Sequence, residues 1–128
     1  MMKSLPNHIH NYLTYIGYSK LSDKVYARTQ AHTTNIMKYE YLPDRNILLH
    51  TVETGNGKRS EAIDIPSLSK RLERYIHNGY SCRKEYIDSL CEDYPEDTVK
   101  TLAGLLGPSE DFDGLVSELQ DFEQMGGF

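Results

Sequence analysis

The chain of 128 residues contains no tryptophan, only two cysteines, and no apolar run approaching the roughly 18 residues that a membrane-spanning helix needs. The N-terminal sequence also lacks the charged head and apolar stretch of a secretory signal. We therefore expect a cytoplasmic protein that does not enter a membrane. Cys82 and Cys91 lie nine positions apart, which is not a spacing that brings two sulfurs together on one element, so we expect buried, reduced thiols.

Recognisable catalytic and cofactor-binding patterns are also missing. The sequence has no GxGxxG, GxxxxGK[ST], GxSxG or HExxH pattern and no calcium-loop pattern. A His-x-Thr element at His32 is similar to half of the paired element of two-histidine phosphoesterases, but the segment at His50 has Val52 where the second hydroxyl is required. We therefore predict a protein that is not an enzyme and that holds no metal and no cofactor.

Basic residues are nearly missing from the last third of the chain. Residues 1 to 84 carry 13 Lys and Arg against 7 Asp and Glu, whereas residues 85 to 128 carry one against 12, giving net charges of +6 and −11. Such asymmetry indicates an acidic interaction surface or an acidic tail that masks a basic one. The alternative interpretation is that these carboxylates are only the solvated faces of helices.

The first half of the chain predicts one helix followed by an antiparallel sheet. Apolar residues recur at helical spacing over about residues 5 to 16. From residue 25 the period changes to two, and two β-rich runs flank a turn at residues 43 to 46, which is typical of a hairpin. The short run EAIDI before Pro66 can add a further strand. We therefore predict three to four strands.

After Pro66 the pattern becomes helical again and predicts three to four helices. The last of them is predicted to begin at Ser109, with an apolar stripe formed by Phe112, Leu115, Val116, Leu119 and Phe122. The fold class is therefore α+β. We predict a single domain over residues 1 to 128, with a sheet-containing part of about 1 to 66 and an acidic helical part of about 67 to 128, and a freer tail after residue 120.

The final segment interleaves its apolar stripe with carboxylates, so that one helix face is apolar and the other is strongly negative. The chain ends in an aromatic residue after two glycines. An acidic tail that ends in an aromatic is similar to the tails by which single-stranded-DNA-binding proteins recruit partners. The candidate partner-binding residues are Glu110, Asp111, Asp113, Glu118, Asp121, Glu123 and Phe128.

These features favour a small accessory or inhibitory protein that docks on another protein through its acidic helices. Regularly spaced carboxylates can occupy a site built for nucleic-acid phosphates, because both present negative charge to Lys and Arg. In logic such a protein resembles the phage- and plasmid-encoded inhibitors of DNA-acting enzymes. We expect the partner to be a protein with a basic surface, such as one that acts on nucleic acid.

A second hypothesis is single-stranded nucleic-acid binding through the sheet, with the acidic C-terminus as a regulatory competitor. Cations that contact phosphates, together with aromatic rings on which bases stack, are how sheet surfaces hold single strands. The candidate residues for this site are Arg28, Lys38, Tyr39, Tyr41, Arg45, Lys58 and Arg59.

Overall fold

The computed structural model describes residues 4–29 and 33–126. It confirms the α+β class, with one N-terminal helix, an antiparallel sheet, and four helices that follow the sheet. The chain forms two compact units, Met1–Ser81 and Cys82–Phe128. The single-domain organisation stays a prediction. The first helix after the sheet belongs to the N-terminal unit, so the boundary between the units falls later than residue 66.

The N-terminal unit contains a helix, a five-stranded sheet and a second helix. In chain order these are α1 (Asn7–Tyr15), β1 (Ser19–Lys20), β2 (Val25–Thr29), β3 (Ile36–Leu42), β4 (Ile47–Thr54), β5 (Gly57–Asp64) and α2 (Ile65–His77). Each strand pairs antiparallel with the next one, so the spatial order follows the chain. The prediction of three to four strands was too low, because β1 has only two residues and shows no alternation.

One face of this sheet forms part of the core. Tyr39 pairs with Tyr26 on β2 and with His50 on β4, so these three side chains share a face. Tyr26 and Tyr39 are buried. His10 of α1 lies with its Nδ1 atom 2.5 Å from the Tyr26 hydroxyl, which places α1 on this covered face. Because successive side chains of a strand alternate, Lys38 lies on the opposite face.

The junction between β5 and α2 explains why the helix begins where it does. The Asp64 carboxylate accepts a hydrogen bond from the Ser67 backbone N–H at 3.0 Å and so caps the helix. Pro66 occupies the first turn, where no intrahelical N–H is needed. The helix then buries Leu68, Leu72 and Tyr75.

The C-terminal unit consists of three helices and a short 3₁₀ turn. These are α3 (Arg83–Asp93), α4 (Glu96–Leu106), the turn Pro108–Glu110 and α5 (Gly114–Gln124). Val99, Ala103, Leu115 and Leu119 form its core. The last helix begins at Gly114 rather than at the predicted Ser109, because Gly107 and Pro108 divert the chain into the 3₁₀ turn. Among the described residues no helix is both long and apolar enough to cross a membrane.

We expect Leu119→Ala to lower the free energy of unfolding by about 2–4 kcal/mol, because a fully buried leucine leaves a cavity when it is truncated. Leu119 is 0% exposed, whereas Leu105 on α4 is 77% exposed. Leu105→Ala is therefore the matched control, with an expected change within about 0.5 kcal/mol. Urea denaturation followed by circular dichroism measures both. Equal effects would show that α5 does not pack as described.

Candidate functional site

Every Lys and Arg of the C-terminal unit forms a salt bridge inside that unit. Arg83 pairs with Asp111, Lys84 pairs with Asp88, and Lys100 pairs with Glu96. The hydrogen bond from Lys100 to Glu96 raises the pKa of the Lys100 ammonium group. The cations of this unit are thus already neutralised locally.

The carboxylates are in large excess over these three cations. Residues 82 to 128 carry 12 Asp and Glu against three Lys and Arg. Among the described residues, seven exposed carboxylates form no ion pair: Glu92, Asp93, Asp97, Asp113, Glu118, Asp121 and Glu123. Since no cation of their own unit neutralises them, they present uncompensated negative charge to solvent.

Among the candidates of the acidic set that the structure describes, Asp111 is the one that lies in the interior. Its side chain is 0% exposed and accepts two hydrogen bonds from Arg83, at 2.8 Å from Nε and at 3.0 Å from Nη2. Arg83 also donates to the Ala103 carbonyl at 3.0 Å. The Tyr86 hydroxyl donates to the Asp111 carbonyl at 2.6 Å. Asp111 therefore joins α3, α4 and the approach to α5, and its side chain is not accessible to a partner.

The exposed carboxylates of α5 lie on two different sides of the helix. At about 100° per residue, Glu118 and Asp121 are separated by about 60°, whereas Glu123 lies about 160° from Asp121. Phe122 and Met125 lie within about 40° of Glu118, and they are 41% and 83% exposed. We call Glu118, Asp121, Phe122 and Met125 the α5 flank. It combines two negative charges with two accessible apolar side chains.

The remaining acidic candidates lie elsewhere. Asp113 is exposed at the start of α5 and makes no side-chain cap to the helix. Glu110 is half-buried, and its Oε2 atom accepts a hydrogen bond from the Gly114 N–H at 3.2 Å. Phe128 lies outside the described residues.

Sequence reasoning missed a further acidic group, Glu92, Asp93, Glu96 and Asp97, which flanks the turn between α3 and α4.

The structure does not bring the sheet candidates together on one face. Tyr39 and Tyr41 lie in the core, with exposures of 8% and 2%. Lys38 and Lys58 lie on the opposite face, where both approach the Glu53 carboxylate, at 3.7 and 3.9 Å. The two tyrosines are therefore unavailable for base stacking beside these cations.

The three arginines of the sheet set are also dispersed. Arg28 donates to the Ile16 carbonyl at 2.6 Å and lies over the Tyr18 ring, 5.7 Å from its centroid. This contact holds the turn at Gly17, whose φ of 98° suits glycine. Arg45 lies in the turn between β3 and β4, and Arg59 lies on the edge strand β5. The three arginines therefore do not form one continuous basic surface.

Three of the described histidines, His8, His10 and His50, lie within hydrogen-bond distance of other side chains. His50 stacks on Tyr39, with ring centroids 4.5 Å apart, and its Nε2 atom lies 3.4 Å from the Tyr18 hydroxyl. Burial raises the pKa of the Tyr18, Tyr26 and Tyr39 phenols, so these hydroxyls stay neutral. His32, the other half of the His-x-Thr hypothesis, lies outside the described residues.

A shallow groove of about 420 Å³ between α1 and α2 contains a serine and a histidine in contact with each other. The Nε2 atom of His8 lies 2.7 Å from the Ser69 hydroxyl, and Glu73 and His77 line the same groove. In the part of the chain that the structure describes, no carboxylate contact orients the His8 ring, as activation of a serine requires. Nor does any described His, Cys, Asp or Glu group fit a metal ion. The absence of enzymatic activity stays a prediction.

The two cysteines are free thiols, with Cys82 buried and Cys91 half-buried. Burial raises the pKa of the Cys91 thiol, and the nearby Glu96 carboxylate adds to this effect. A thiol in such surroundings stays protonated and is a poor nucleophile.

No protein-family model, curated protein or solved structure matches this chain.

We expect Asp111→Asn to lower the free energy of unfolding by about 1–3 kcal/mol, less than a fully buried ion pair costs when broken, because Arg83 is partly solvated. Asp113→Asn is the matched control: Asp113 is exposed and its side chain makes no cap bond, so the expected change is within about 0.5 kcal/mol. Urea denaturation measures both. Equal effects would contradict a structural role for Asp111.

We expect neither the full chain nor a chain without residues 109 to 128 to retard a single-stranded oligonucleotide in a gel at about 50 mM salt, where electrostatic binding is near its strongest. The buried Tyr39 and Tyr41 and the shared Glu53 leave no stacking platform in this sheet set. A shift that Arg45→Ala and Arg59→Ala abolish would instead support the nucleic-acid hypothesis.

Proposed function

We propose that the protein is a small accessory or inhibitory protein that binds a basic surface of another protein through its C-terminal unit. The observation that carries this proposal is the local charge balance. Each cation of the unit is paired, yet seven exposed carboxylates have no ion pair among the described residues. A surface of this kind attracts Lys and Arg at long range and steers association.

The α5 flank is the best-supported contact point of this surface. Uniform charge gives fast encounter but little affinity, whereas binding energy concentrates in a few well-packed apolar or aromatic anchors. Phe122 and Met125 supply such anchors beside Glu118 and Asp121. Methionine is unbranched and flexible, so it adapts to a pocket of irregular shape. The partner would therefore carry an apolar pocket rimmed by Lys and Arg.

Mimicry of nucleic acid is the form of inhibition that this chemistry favours. Glu118 and Asp121 are three residues apart on α5, so their Cβ atoms lie about 5–6 Å from each other, and the two carboxylates form a short row of negative charge as neighbouring phosphates do. A nucleic-acid-acting protein presents Lys and Arg in the geometry that such a row contacts. On this proposal, added DNA and the protein compete for the same basic surface.

The test is affinity capture from lysate at low salt with wild-type protein and with the double variant Glu118→Lys/Asp121→Lys. Solvated surface charges contribute little to folding, so the variant should keep its unfolding midpoint. We expect it to lose the partners that wild type retains, and we expect double-stranded DNA to displace those partners from wild type. Mass spectrometry of the eluates gives the comparison.

The matched control is Gln120→Lys/Gln124→Lys, which adds positive charge to another side of α5. Both glutamines are exposed, and around the helix they lie about 150° and about 110° from the middle of the α5 flank. This control should retain most of the binding. If the double charge reversal and the control bind the same proteins equally, the α5 flank has no role in recognition. If wild type retains no protein at any salt, the proposed function fails.

A further inference from the structure

The strand β5 is an open sheet edge that the proposed function does not use. It ends the order β1 to β5, and all its residues except Ile63 are exposed. At eight residues it is far longer than the other edge strand, β1, which has two. An exposed edge of this length presents a row of unpaired backbone donors and acceptors, which is a template for another strand.

The pairing with β4 determines which backbone groups point outward. The Ile65 N–H donates to the Asn46 carbonyl at 3.1 Å. In an antiparallel ladder, hydrogen-bonded pairs alternate with non-bonded ones. Counting back from Ile65 in steps of two, the backbone groups of Glu61 and Arg59 therefore bond to β4. The backbone groups of Lys58, Ser60 and Ala62 therefore point away from the sheet.

The side chains of this edge are charged in an order that complements itself. Arg59 and Glu61 stand on either side of Ser60, and neither forms an ion pair with any residue that the structure describes. When two antiparallel copies of β5 meet with Ser60 opposite Ser60, each Arg59 faces Glu61 of the other copy. These are non-bonded positions, where facing side chains come closest, with Cα atoms about 4.5 Å apart.

Neighbouring registers lack this match. Moving the second strand by two residues in one direction places Glu61 opposite Glu61, and moving it in the other direction places Arg59 opposite Arg59. Like charges directly opposite each other destabilise a strand pair. A shift by one residue would put outward backbone groups opposite inward ones and remove the hydrogen bonds. Only the register centred on Ser60 satisfies the backbone and the charges together.

We propose that two copies of this chain associate through antiparallel pairing of their β5 strands, centred on Ser60, to form one continuous ten-stranded sheet. Lys58, Ser60 and Ala62 of each copy supply the backbone hydrogen bonds, and two Arg59–Glu61 pairs fix the register. The contact is smaller than a standard protein interface, so we expect a weak dimer whose fraction rises with protein concentration. The strand that pairs with this edge is β5 of a second copy, because the charge order of the edge complements itself.

The test is a charge-swap cycle measured by sedimentation or light scattering. The mass of wild type should rise with concentration towards twice the 14.7 kDa of one chain. Arg59→Glu makes both facing pairs carboxylate against carboxylate, and Glu61→Arg makes both guanidinium against guanidinium. Each single variant should weaken dimerisation by about tenfold or more, because two like-charged pairs form at once. The double variant Arg59→Glu/Glu61→Arg restores opposite charges and should restore the dimer, and circular dichroism checks that each variant is folded.

A second pair of variants tests the backbone contact. Ser60→Pro removes an N–H that points away from β4, so the sheet keeps its own ladder while the dimer loses a central donor. Ser60→Ala is its matched control, because it removes only the hydroxyl that contacts Thr51 at 3.1 Å. We expect Ser60→Pro to be monomeric and Ser60→Ala to dimerise. A monomeric wild type at all concentrations, or a dimer that the single charge reversals leave intact, would overturn the proposal.

Discussion

The C-terminal unit depends on one ion pair, between the partly exposed Arg83 and the buried Asp111. Arg83 begins α3, and its guanidinium reaches both oxygens of Asp111 and the Ala103 carbonyl near the end of α4. One side chain therefore joins three segments of a unit whose apolar core is small. A planar guanidinium suits this position because its donors form a rigid fork, which an ammonium group cannot supply.

This pair also determines what the rest of the surface can do. Arg83 is paired with Asp111. Lys84 and Lys100 are the other cations of the unit, and each pairs with an acid one helical turn away. The exposed carboxylates must therefore repel one another in the free protein. Such self-repulsion lowers stability slightly and is relieved when a cationic surface approaches. A unit with this charge therefore gains more electrostatic free energy on approach to a basic surface than a unit with balanced charges would.

Local periodicity predicted much of the fold, and long-range contacts account for most of what it missed. The spacing of apolar residues predicted α1 and α2, and the turn at residues 43 to 46 predicted the β3–β4 hairpin. The length of β5 was underestimated, because an edge strand exposed on both faces has no alternation. The burial of Asp111 was missed, since Arg83 lies 28 residues away. A signal did exist: Asp111 stands four and eight residues before Leu115 and Leu119, within the apolar stripe.

The two proposed interaction surfaces differ in their physical basis and therefore in their expected response to salt. On this proposal the α5 flank combines two apolar anchors with charge attraction across solvent, and the charge attraction is screened beyond about 8 Å at physiological ionic strength. The β5 edge relies on backbone hydrogen bonds between strands in contact, with charge serving mainly to select the register. Rising salt should therefore lower the affinity of the acidic surface for its partner at concentrations that leave the pairing of the β5 strands largely intact.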